Sequence, residues 1–240
     1  MTYDAVVFDL LTALLDSWTL WNDVAGSPED GMKWRRRYLE ITYGCGAYRP
    51  YETLVREAAR DVGLPESLGE GLERRWGELA PWPEARGVLT RLAVPLAVAT
   101  NCSIRLGRQA ADRVGVPFKT VITAESAGFY KPRPEPYRAV LAALGTAPER
   151  TLFVAGSASD VPGAKGVGMP VYGTIVSGFR HATIPGPTIS NRRSTGWPIC
   201  FLRPRGRAMV PPQRGESAWR RPVSSSPRST ASDRRTGSRT

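Results

Sequence analysis

The segment AVVFDLLTALLDS, residues 5–17, is the part of the sequence that decides the fold. It begins with a short continuous apolar run, which is typical of a parallel strand that is buried on both faces. Asp9 ends this run, although a carboxylate is costly to remove from water. Open α/β sheets bind their ligands just outside the carboxyl ends of the strands. We therefore predict that Asp9 is a nucleophile and that the other polar groups of the site serve it.

Beyond residue 82 the sequence alternates between helical and strand patterns. The predicted strands after the first one cover residues 95–99, 120–123, 151–155 and 170–172. The predicted helices cover residues 84–92, 103–114, 134–144 and 157–166. Asn101 or Ser103 is expected to cap the second of these helices. Strands that alternate with helices predict a Rossmann-like α/β fold with a doubly wound parallel sheet.

A block between the first strand and this alternation has helical periodicity only. Helices are predicted there for residues 18–24, 32–43, 51–62 and 68–79. Because the block is inserted after the first strand, we expect it to cover the carboxyl end of the sheet as a cap. The predicted organisation is an α/β core of residues 1–16 and 83–177, a helical cap of residues 17–82, and a disordered tail of residues 178–240.

The net charge of +11 comes entirely from the tail. Residues 178–240 contain 13 Arg, 8 Pro and two acidic residues, whereas residues 1–177 contain 20 basic and 20 acidic residues. A segment of this composition cannot bury enough apolar surface to offset its chain entropy. Three interpretations of the tail are open: a basic arm for nucleic acid, an inert extension, or translation in the wrong reading frame.

Several classes of protein are disfavoured by composition. No apolar run approaches the roughly 18–20 residues of a membrane span, and the N-terminus lacks a signal-peptide pattern. Cys45, Cys102 and Cys200 are scattered, without the spacing of a disulfide framework or a metal site. The single histidine, His181, lies in the tail, which argues against histidine triads and histidine-rich metal sites. We expect a protein of the reducing cytoplasm.

Polar side chains follow four of the predicted strands at the point where each strand ends. They are Asp9, Thr100, Asn101, Lys131, Ser157 and Asp160. In a parallel sheet these carboxyl ends meet at one edge, so the side chains should converge on one crevice. A carboxylate nucleophile, hydroxyl and amide donors, a lysine and a second aspartate form a coherent set for covalent catalysis.

Four short motifs stand at these strand ends. They are FD at residues 8–9, ATN at 99–101, KPRP at 131–134 and a small-residue loop at 155–160 that ends in an aspartate. Together they resemble the haloacid dehalogenase superfamily, and the resemblance extends over residues 1–177. It implies that the first aspartate forms a covalent intermediate with the substrate.

The phosphatases of this superfamily carry a second aspartate two residues after the nucleophile and an acidic Gly-Asp-Ser loop. This chain has Leu11 and Gly156 at those two positions. Leu11 cannot protonate a leaving oxygen, and Mg²⁺ is held through carboxylates, waters and substrate phosphate. A Mg²⁺-dependent phosphatase with Asp9 and Asp160 as metal ligands is therefore a disfavoured alternative. A weakly active or inactive binding protein with the same fold is the alternative from another class.

The L-2-haloacid dehalogenase branch of the superfamily has a W-R-x-x-x-L-E element in its cap, and residues 34–40, WRRRYLE, resemble it. The resemblance implies that the nucleophile attacks the α-carbon of a 2-haloacid and that halide leaves without a proton. Arg35 and Asn101 would stabilise the halide. Arg36 and Arg37 are the alternatives for the arginine that faces inward.

The resemblance also assigns roles to the remaining groups. Leu11 would contact the substrate, and Thr100 would help to hold its carboxylate. Lys131 would pair with the nucleophile and keep it ionised. Asp160, together with Ser157, would position or activate the water that hydrolyses the ester. This reaction needs no metal or other cofactor, its partner is a small molecule and not nucleic acid, and a homodimer formed through the cap is expected.

The wrong-frame interpretation of the tail is favoured by the same resemblance. In the resembling sequences the last strand is often followed by Trp-His-Asn-Arg. If Tyr-Trp-His-Asn-Arg and the residues after it are encoded as TAC TGG CAC AAT CGT GTC GG, deletion of one T gives TAC GGC ACA ATC GTG TCG G. This reads Tyr-Gly-Thr-Ile-Val-Ser, which is the sequence of residues 172–177. An Arg-, Pro- and Ser-rich product is also what a GC-rich gene yields out of frame.

Overall fold

The computed structural model describes residues 2–174, which contain one parallel sheet with helices around it. The strands are β1 (Ala5–Phe8), β2 (Leu96–Thr100), β3 (Thr120–Thr123), β4 (Thr151–Ala155) and β5 (Val171–Gly173). They are hydrogen bonded in the order β3-β2-β1-β4-β5, and every neighbouring pair is parallel. The predicted doubly wound α/β sheet is confirmed, with β1 at its centre.

The central position of β1 explains its unbroken apolar sequence. Val6 and Phe8 belong to one apolar cluster, while Ala5 and Val7 belong to a second one. Successive side chains of a strand point to opposite faces of the sheet, so both faces of β1 are covered. The strand that carries Asp9 at its end is therefore held from both sides.

Five helices and a 3-10 turn lie between β1 and β2, and four of these helices precede the turn. They are α1 (Ser17–Ala25), α2 (Pro28–Gly44), α3 (Tyr51–Asp61) and α4 (Ser67–Arg74), followed by the 3-10 turn Trp76–Glu78. The helix predicted for residues 68–79 is therefore too long. Gly77 weakens helix there, and Trp76 lies in the 3-10 turn, with its indole N–H donating to the carbonyl oxygen of Leu106 at 2.9 Å.

The fifth of these helices leads into β2, and four more helices follow that strand. They are α5 (Ala85–Leu89), α6 (Ile104–Arg113), α7 (Ala124–Ala127), α8 (Pro134–Leu144) and α9 (Asp160–Gly166), with a 3-10 turn at Pro148–Arg150. The short helix α7 was not predicted, and it is closed by a capping box between Thr123 and Ser126. Of the two candidate caps for α6, Ser103 is the one whose hydroxyl accepts a hydrogen bond from the helix.

Helix α9 begins three residues later than predicted. The hydroxyl of Ser157 accepts the N–H of Ser159 at 3.3 Å and pairs with the Ser159 hydroxyl at 2.6 Å. Such local bonds of serine side chains compete with helix formation. As a result, residues 156–159 form a loop, and Asp160 is the first residue of α9 instead of a residue within the helix.

The chain segment that leads from β1 to α1 lies beside the segment that leads from α4 back to the sheet. Asp16 donates its N–H to the Ala80 carbonyl at 2.9 Å, and Trp82 donates its N–H to the Leu14 carbonyl at 3.0 Å. The division into core and cap stays a prediction, and these bonds hold its two proposed boundaries next to each other.

No helix within residues 2–174 is both long and apolar enough to cross a membrane. The disorder predicted for residues 178–240, and the three interpretations of that tail, lie outside the described residues. The cytoplasmic location and the homodimer stay predictions.

Candidate active site

Asp9 directly follows β1 and is 7% exposed. Its Oδ2 accepts hydrogen bonds from the Thr12 N–H at 3.0 Å, the Thr12 hydroxyl at 2.6 Å and the Ala13 N–H at 3.2 Å. Its Oδ1 accepts one from Lys131 Nζ at 2.8 Å. Burial raises the pKa of Asp9, but the charge of Lys131 and the hydrogen bonds outweigh burial, and the pKa lies below its ordinary value. Asp9 is therefore ionised at neutral pH, as a nucleophile must be.

Lys131 is the cation between the ends of β1 and β4, and it is 2% exposed. Its Nζ lies 2.8 Å from Asp9 Oδ1 and 3.0 Å from Asp160 Oδ1. Burial lowers the pKa of Lys131, but the two carboxylates outweigh burial and raise it above the ordinary lysine value. Lys131 therefore stays charged and acts on both aspartates as a fixed cation.

Asp160 is buried at the first residue of α9. Its Oδ1 accepts a hydrogen bond from the Tyr137 hydroxyl at 3.2 Å in addition to its contact with Lys131. Burial raises the pKa of Asp160 to about 6, with a further contribution from the charge of Asp9. A carboxylate with this pKa can accept a proton near neutral pH.

Tyr137 was missed by the sequence analysis. It lies in the first turn of α8, directly after the KPRP motif that brings Lys131 into the site. The tyrosine is fully buried and edge-on to Phe153 of β4, with the two ring centres 5.2 Å apart. Its position one turn beyond that motif is the signal that could have identified it.

Asn101 holds the backbone of Lys131. Its Oδ1 accepts the Lys131 N–H at 2.7 Å, and its Nδ2 donates to the Lys131 carbonyl at 2.9 Å. The Asn101 carbonyl in turn accepts the Tyr38 hydroxyl of α2 at 2.9 Å. Asn101 therefore positions the lysine and connects β2 to α2, a role that the sequence analysis did not assign to it.

The structure brings most of the predicted residues together, but not the hydroxyl of Thr100. Thr100 is fully buried, and its Oγ1 lies 3.7 Å from the thiol of Cys102. Its side chain is thus occupied by a buried neighbour, which does not fit the expected contact with a substrate carboxylate. Ser157 is three residues before Asp160 in the chain. Its hydroxyl is hydrogen bonded to the Ser159 hydroxyl, and Ser159 Oγ also accepts a hydrogen bond from the Tyr43 hydroxyl of α2 at 2.5 Å.

Arg35 of α2 is a buried cation that is only 6% exposed. Its guanidinium carbon lies 3.9 Å from the ring centre of Trp18 and 5.8 Å from that of Trp21. Within residues 2–174 its Nη1 has no hydrogen-bond partner. Burial lowers the pKa of Arg35 to about 10, whereas the charge of Asp9 acts to raise it. Arg35 therefore remains protonated and has an N–H group available for an anion.

The three consecutive arginines of α2 have different environments. Arg36 is exposed, and Arg37 forms ion pairs with Asp61 at 2.8 Å and Glu40 at 3.3 Å. Arg35 is the one that faces the interior. Tyr38 lies one turn further along the same helix face, which is the signal that could have added it to the predicted residues.

This constellation can be compared with known proteins. The sequence model of a family described as haloacid dehalogenase-like hydrolases matches residues 3–168. The chain belongs to this family. It is accordingly an enzyme of the hydrolase class, as the sequence predicted.

Two curated relatives are similar over most of the chain. The (S)-2-haloacid dehalogenase of Xanthobacter autotrophicus is 30% identical, over 70% of this chain and 73% of the relative. Haloacetate dehalogenase H-2 of Moraxella sp. (strain B) is 29% identical, over 70% of this chain and 84% of the relative. The family and the dehalogenase-like branch predicted from the motifs are confirmed by these similarities.

Solved structures give the same relationship. The L-2-haloacid dehalogenase from Xanthobacter autotrophicus has a TM-score of 0.64 and 28% identity, covering 71% of this chain and 76% of that chain. The same enzyme with chloropropionic acid covalently bound has a TM-score of 0.65 and 26% identity, with the same coverage.

The side chains at the centre do not fit Mg²⁺. Asp9 and Asp160 supply the carboxylates, but the ammonium of Lys131 already lies within 3.0 Å of both. A Cβ at Gly156, where the phosphatases of the superfamily carry an aspartate, would lie 2.2 Å from Thr12 Oγ1. In the part of the chain that the structure describes, no three His, Cys, Asp or Glu side chains group as metal ligands. The reaction proposed below therefore has no step through a metal.

Proposed function

We propose that this protein is a 2-haloacid dehalogenase, which hydrolyses small 2-haloacids to 2-hydroxy acids through an ester on Asp9. The observation that carries the proposal is the buried Arg35, whose Nη1 has no partner in the described part of the chain. A buried guanidinium with an unpartnered N–H is costly, so this position favours binding of an anion. A departing halide is such an anion, and it needs no proton from an acid at Leu11.

In the first step Asp9 displaces the halide. Oδ2 already accepts three hydrogen bonds, whereas Oδ1 accepts one from Lys131, so Oδ1 has the lone pair that is free to attack. A bond forms between Oδ1 and the α-carbon while the carbon–halogen bond breaks. Its electron pair leaves with the halide, which the N–H groups of Arg35 receive. The side-chain amide of Asn101 has two N–H groups. One donates to the Lys131 carbonyl, and the second is available to donate to the same halide.

In the second step water hydrolyses the ester. Asp160 takes a proton from the water, whose oxygen attacks the carboxyl carbon of Asp9. The bond from that carbon to the ester oxygen breaks, Asp160 passes its proton to this oxygen, and the 2-hydroxy acid leaves while the other proton of the water is lost to solvent as Asp9 becomes a carboxylate again. One proton is released for each halide. Lys131 stabilises the negative charge that develops on the Asp9 carboxyl group during the attack.

The class of substrate is supported by the cap and by the relatives. Trp18 and Trp21 lie beside Arg35, and Leu11 is only 9% exposed, so apolar side chains surround the proposed halide site. The similar enzymes named above act on 2-haloacids and haloacetate according to their names. We therefore propose short-chain 2-haloacids as substrates.

The proposal is tested by incubating purified full-length protein with 2-chloropropionate and EDTA, and separately with p-nitrophenyl phosphate and Mg²⁺. We expect chloride release that EDTA does not slow and that Asp9→Asn abolishes. Phosphate release without chloride release would favour the phosphatase, and neither activity from a folded sample would favour a binding protein.

The aspartyl ester has a separate test by isotope. In a single turnover in H₂¹⁸O, the 2-hydroxy acid should contain ¹⁶O and the peptide that includes Asp9 should gain ¹⁸O, both by mass spectrometry. Label in the first molecule of product would instead indicate direct attack of water on the α-carbon.

A further inference from the structure

Three buried side-chain atoms have no hydrogen-bond partner within residues 2–174. They are Asn22 Oδ1, Arg35 Nη1 and the Tyr51 hydroxyl. Asn22 lies against Gly31, where α1 and α2 approach closely, and its oxygen can only accept. The other two atoms are donors, and buried donors normally have a partner. Two unpartnered donors in one part of the chain therefore indicate a ligand that accepts hydrogen bonds.

Arg35 and Tyr51 belong to the same aromatic cluster. The Tyr51 ring centre is 5.3 Å from that of Tyr38, which is 5.6 Å from that of Trp21, and Trp21 is 5.8 Å from the guanidinium carbon of Arg35. Tyr38 also donates to the carbonyl of Asn101 at the end of β2. The cluster thus brings both donors to the side of the cap that meets the reactive edge of the sheet.

The Tyr51 hydroxyl is available as a donor. Tyr51 is 2% exposed, and burial raises its pKa well above the ordinary tyrosine value, although the charge of Arg35 acts to lower it. The proton therefore stays on the oxygen at neutral pH. Other buried tyrosines differ from Tyr51, since Tyr130 donates to the Arg49 carbonyl at 2.8 Å.

We propose that the Tyr51 hydroxyl is an additional donor to the halide held by Arg35, and that it makes the site favour substrates with a strongly accepting leaving group, above all fluorinated 2-haloacids. The inference rests on the proposed function and deepens it. Among the halides, fluoride accepts the strongest hydrogen bonds and is bound by the strongest carbon–halogen bond. Its departure from carbon therefore gains most from a second, desolvated donor.

The bonds made and broken are those of the dehalogenation already described. Asp9 Oδ1 bonds to the α-carbon, and the electron pair of the carbon–fluorine bond leaves with fluoride. Tyr51 donates a hydrogen bond to this ion and keeps its proton.

The test compares wild-type protein with Tyr51→Phe and, as a matched control, with Tyr130→Phe. Dissociation constants for sodium fluoride and sodium bromide are measured by the fluorescence of the tryptophans beside Arg35. We expect Tyr51→Phe to weaken fluoride binding about tenfold and bromide binding much less, since a hydrogen bond to a charged group is worth about that factor. Tyr130→Phe should leave both constants unchanged. The kcat/KM ratio for fluoroacetate over bromoacetate should change in the same way.

Thermal unfolding separates a ligand-binding hydroxyl from a structural one. Removal of an unpartnered hydroxyl should leave the melting temperature of Tyr51→Phe unchanged or higher, whereas Tyr130→Phe loses a made hydrogen bond and should melt lower. Unchanged halide constants in Tyr51→Phe overturn the inference, whether or not its melting temperature falls. If wild-type protein releases no halide but Tyr51→Phe still loses fluoride affinity, the proposed function fails and the donor assignment stands.

Discussion

Asp9 and Asp160 are both buried and both contact Lys131 Nζ, but their environments differ. Asp9 accepts four hydrogen bonds, and its pKa lies below the ordinary value. Burial and the charge of Asp9 raise the pKa of Asp160 to about 6. Opposite shifts of two neighbouring carboxyl groups suit the roles of nucleophile and base.

Hydrolysis of the ester should slow as the pH falls through the pKa of Asp160, which is about 6 in the free protein and lower in the ester, because esterified Asp9 no longer carries the charge that helps to raise it. Below that value the carboxyl group is protonated and cannot accept a proton from water, so the rate should drop about tenfold per pH unit. The decay of the covalent ester is followed by mass spectrometry after rapid quenching. Asp160→Asn should leave the first chloride release intact and let the ester accumulate; an equal ester decay at acidic and neutral pH would contradict this role.

Replacing Lys131 by methionine should destabilise the protein and stop the reaction. The variant leaves two buried carboxyl groups without their cation, and loss of one partner of a buried ion pair costs about 3–5 kcal/mol. Urea unfolding measures the cost, and the pKa of Asp9 should rise. Lys165→Met, at an exposed position of α9, is the control and should change the unfolding free energy by less than about 0.5 kcal/mol. A Lys131→Met protein as stable as this control would contradict the prediction.

At the scale of elements, the loops after β1 and β4 are fitted to each other. A Cβ at Gly156 would lie 2.2 Å from Thr12 Oγ1 and 2.4 Å from Ala13 N, so only glycine fits this contact. Thr12 and Ala13 are the residues that hold Asp9 Oδ2. The loop after β4 therefore supports Asp9 indirectly, because it packs against the turn whose N–H groups bind the Asp9 carboxylate.

Gly156→Ala should shift this turn and lower both stability and activity. Overpacking of this kind costs about 1–3 kcal/mol, and the displaced Thr12 should reduce kcat because Asp9 Oδ2 loses its donors. The matched control is Gly87→Ala in α5, where an added Cβ meets nothing within 4 Å. Thermal unfolding and chloride release are measured on both; equal behaviour of the two variants would refute the fit described above.

At the scale of the whole molecule, the site draws its residues from distant parts of the chain. Asp9 follows β1, Arg35 lies in α2, Lys131 precedes α8 and Asp160 begins α9. The family match ends at residue 168, close to the last strand. The residues after 177 contain the excess arginine but none of the groups assigned to the reaction.

We expect the DNA across codons 170–180 to encode Trp-His-Asn-Arg in a neighbouring frame. Loss of one nucleotide would explain both residues 172–177 and the basic composition that follows. Resequencing this region checks it directly. A continuous reading frame, without those four codons in either other frame, would rule out the wrong-frame interpretation and leave a basic arm or an inert extension.

Much of the fold was readable from the sequence because the strands of a parallel sheet are continuous apolar runs. The predicted strand at residues 120–123, the strand at 151–155 and the helix at 134–144 agree with the structure in every residue. Two of the errors lie where side chains bond to nearby backbone, at Ser157 and at Thr123. Local hydrogen bonds of this kind leave no hydrophobic period to read.

The sequence by itself determined the sheet, the place of Asp9 at the end of the first strand and the order of the polar groups around it, because strand ends are marked by the place where an apolar run stops. Only the tertiary structure showed that Arg35 is the buried one of the three arginines. It also showed that the Asn101 side chain is hydrogen bonded to the backbone of Lys131, and that the Thr100 hydroxyl lies beside the Cys102 thiol. These contacts depend on which face of a helix or strand packs against a neighbouring element. The order of residues along the chain does not say which faces pack together.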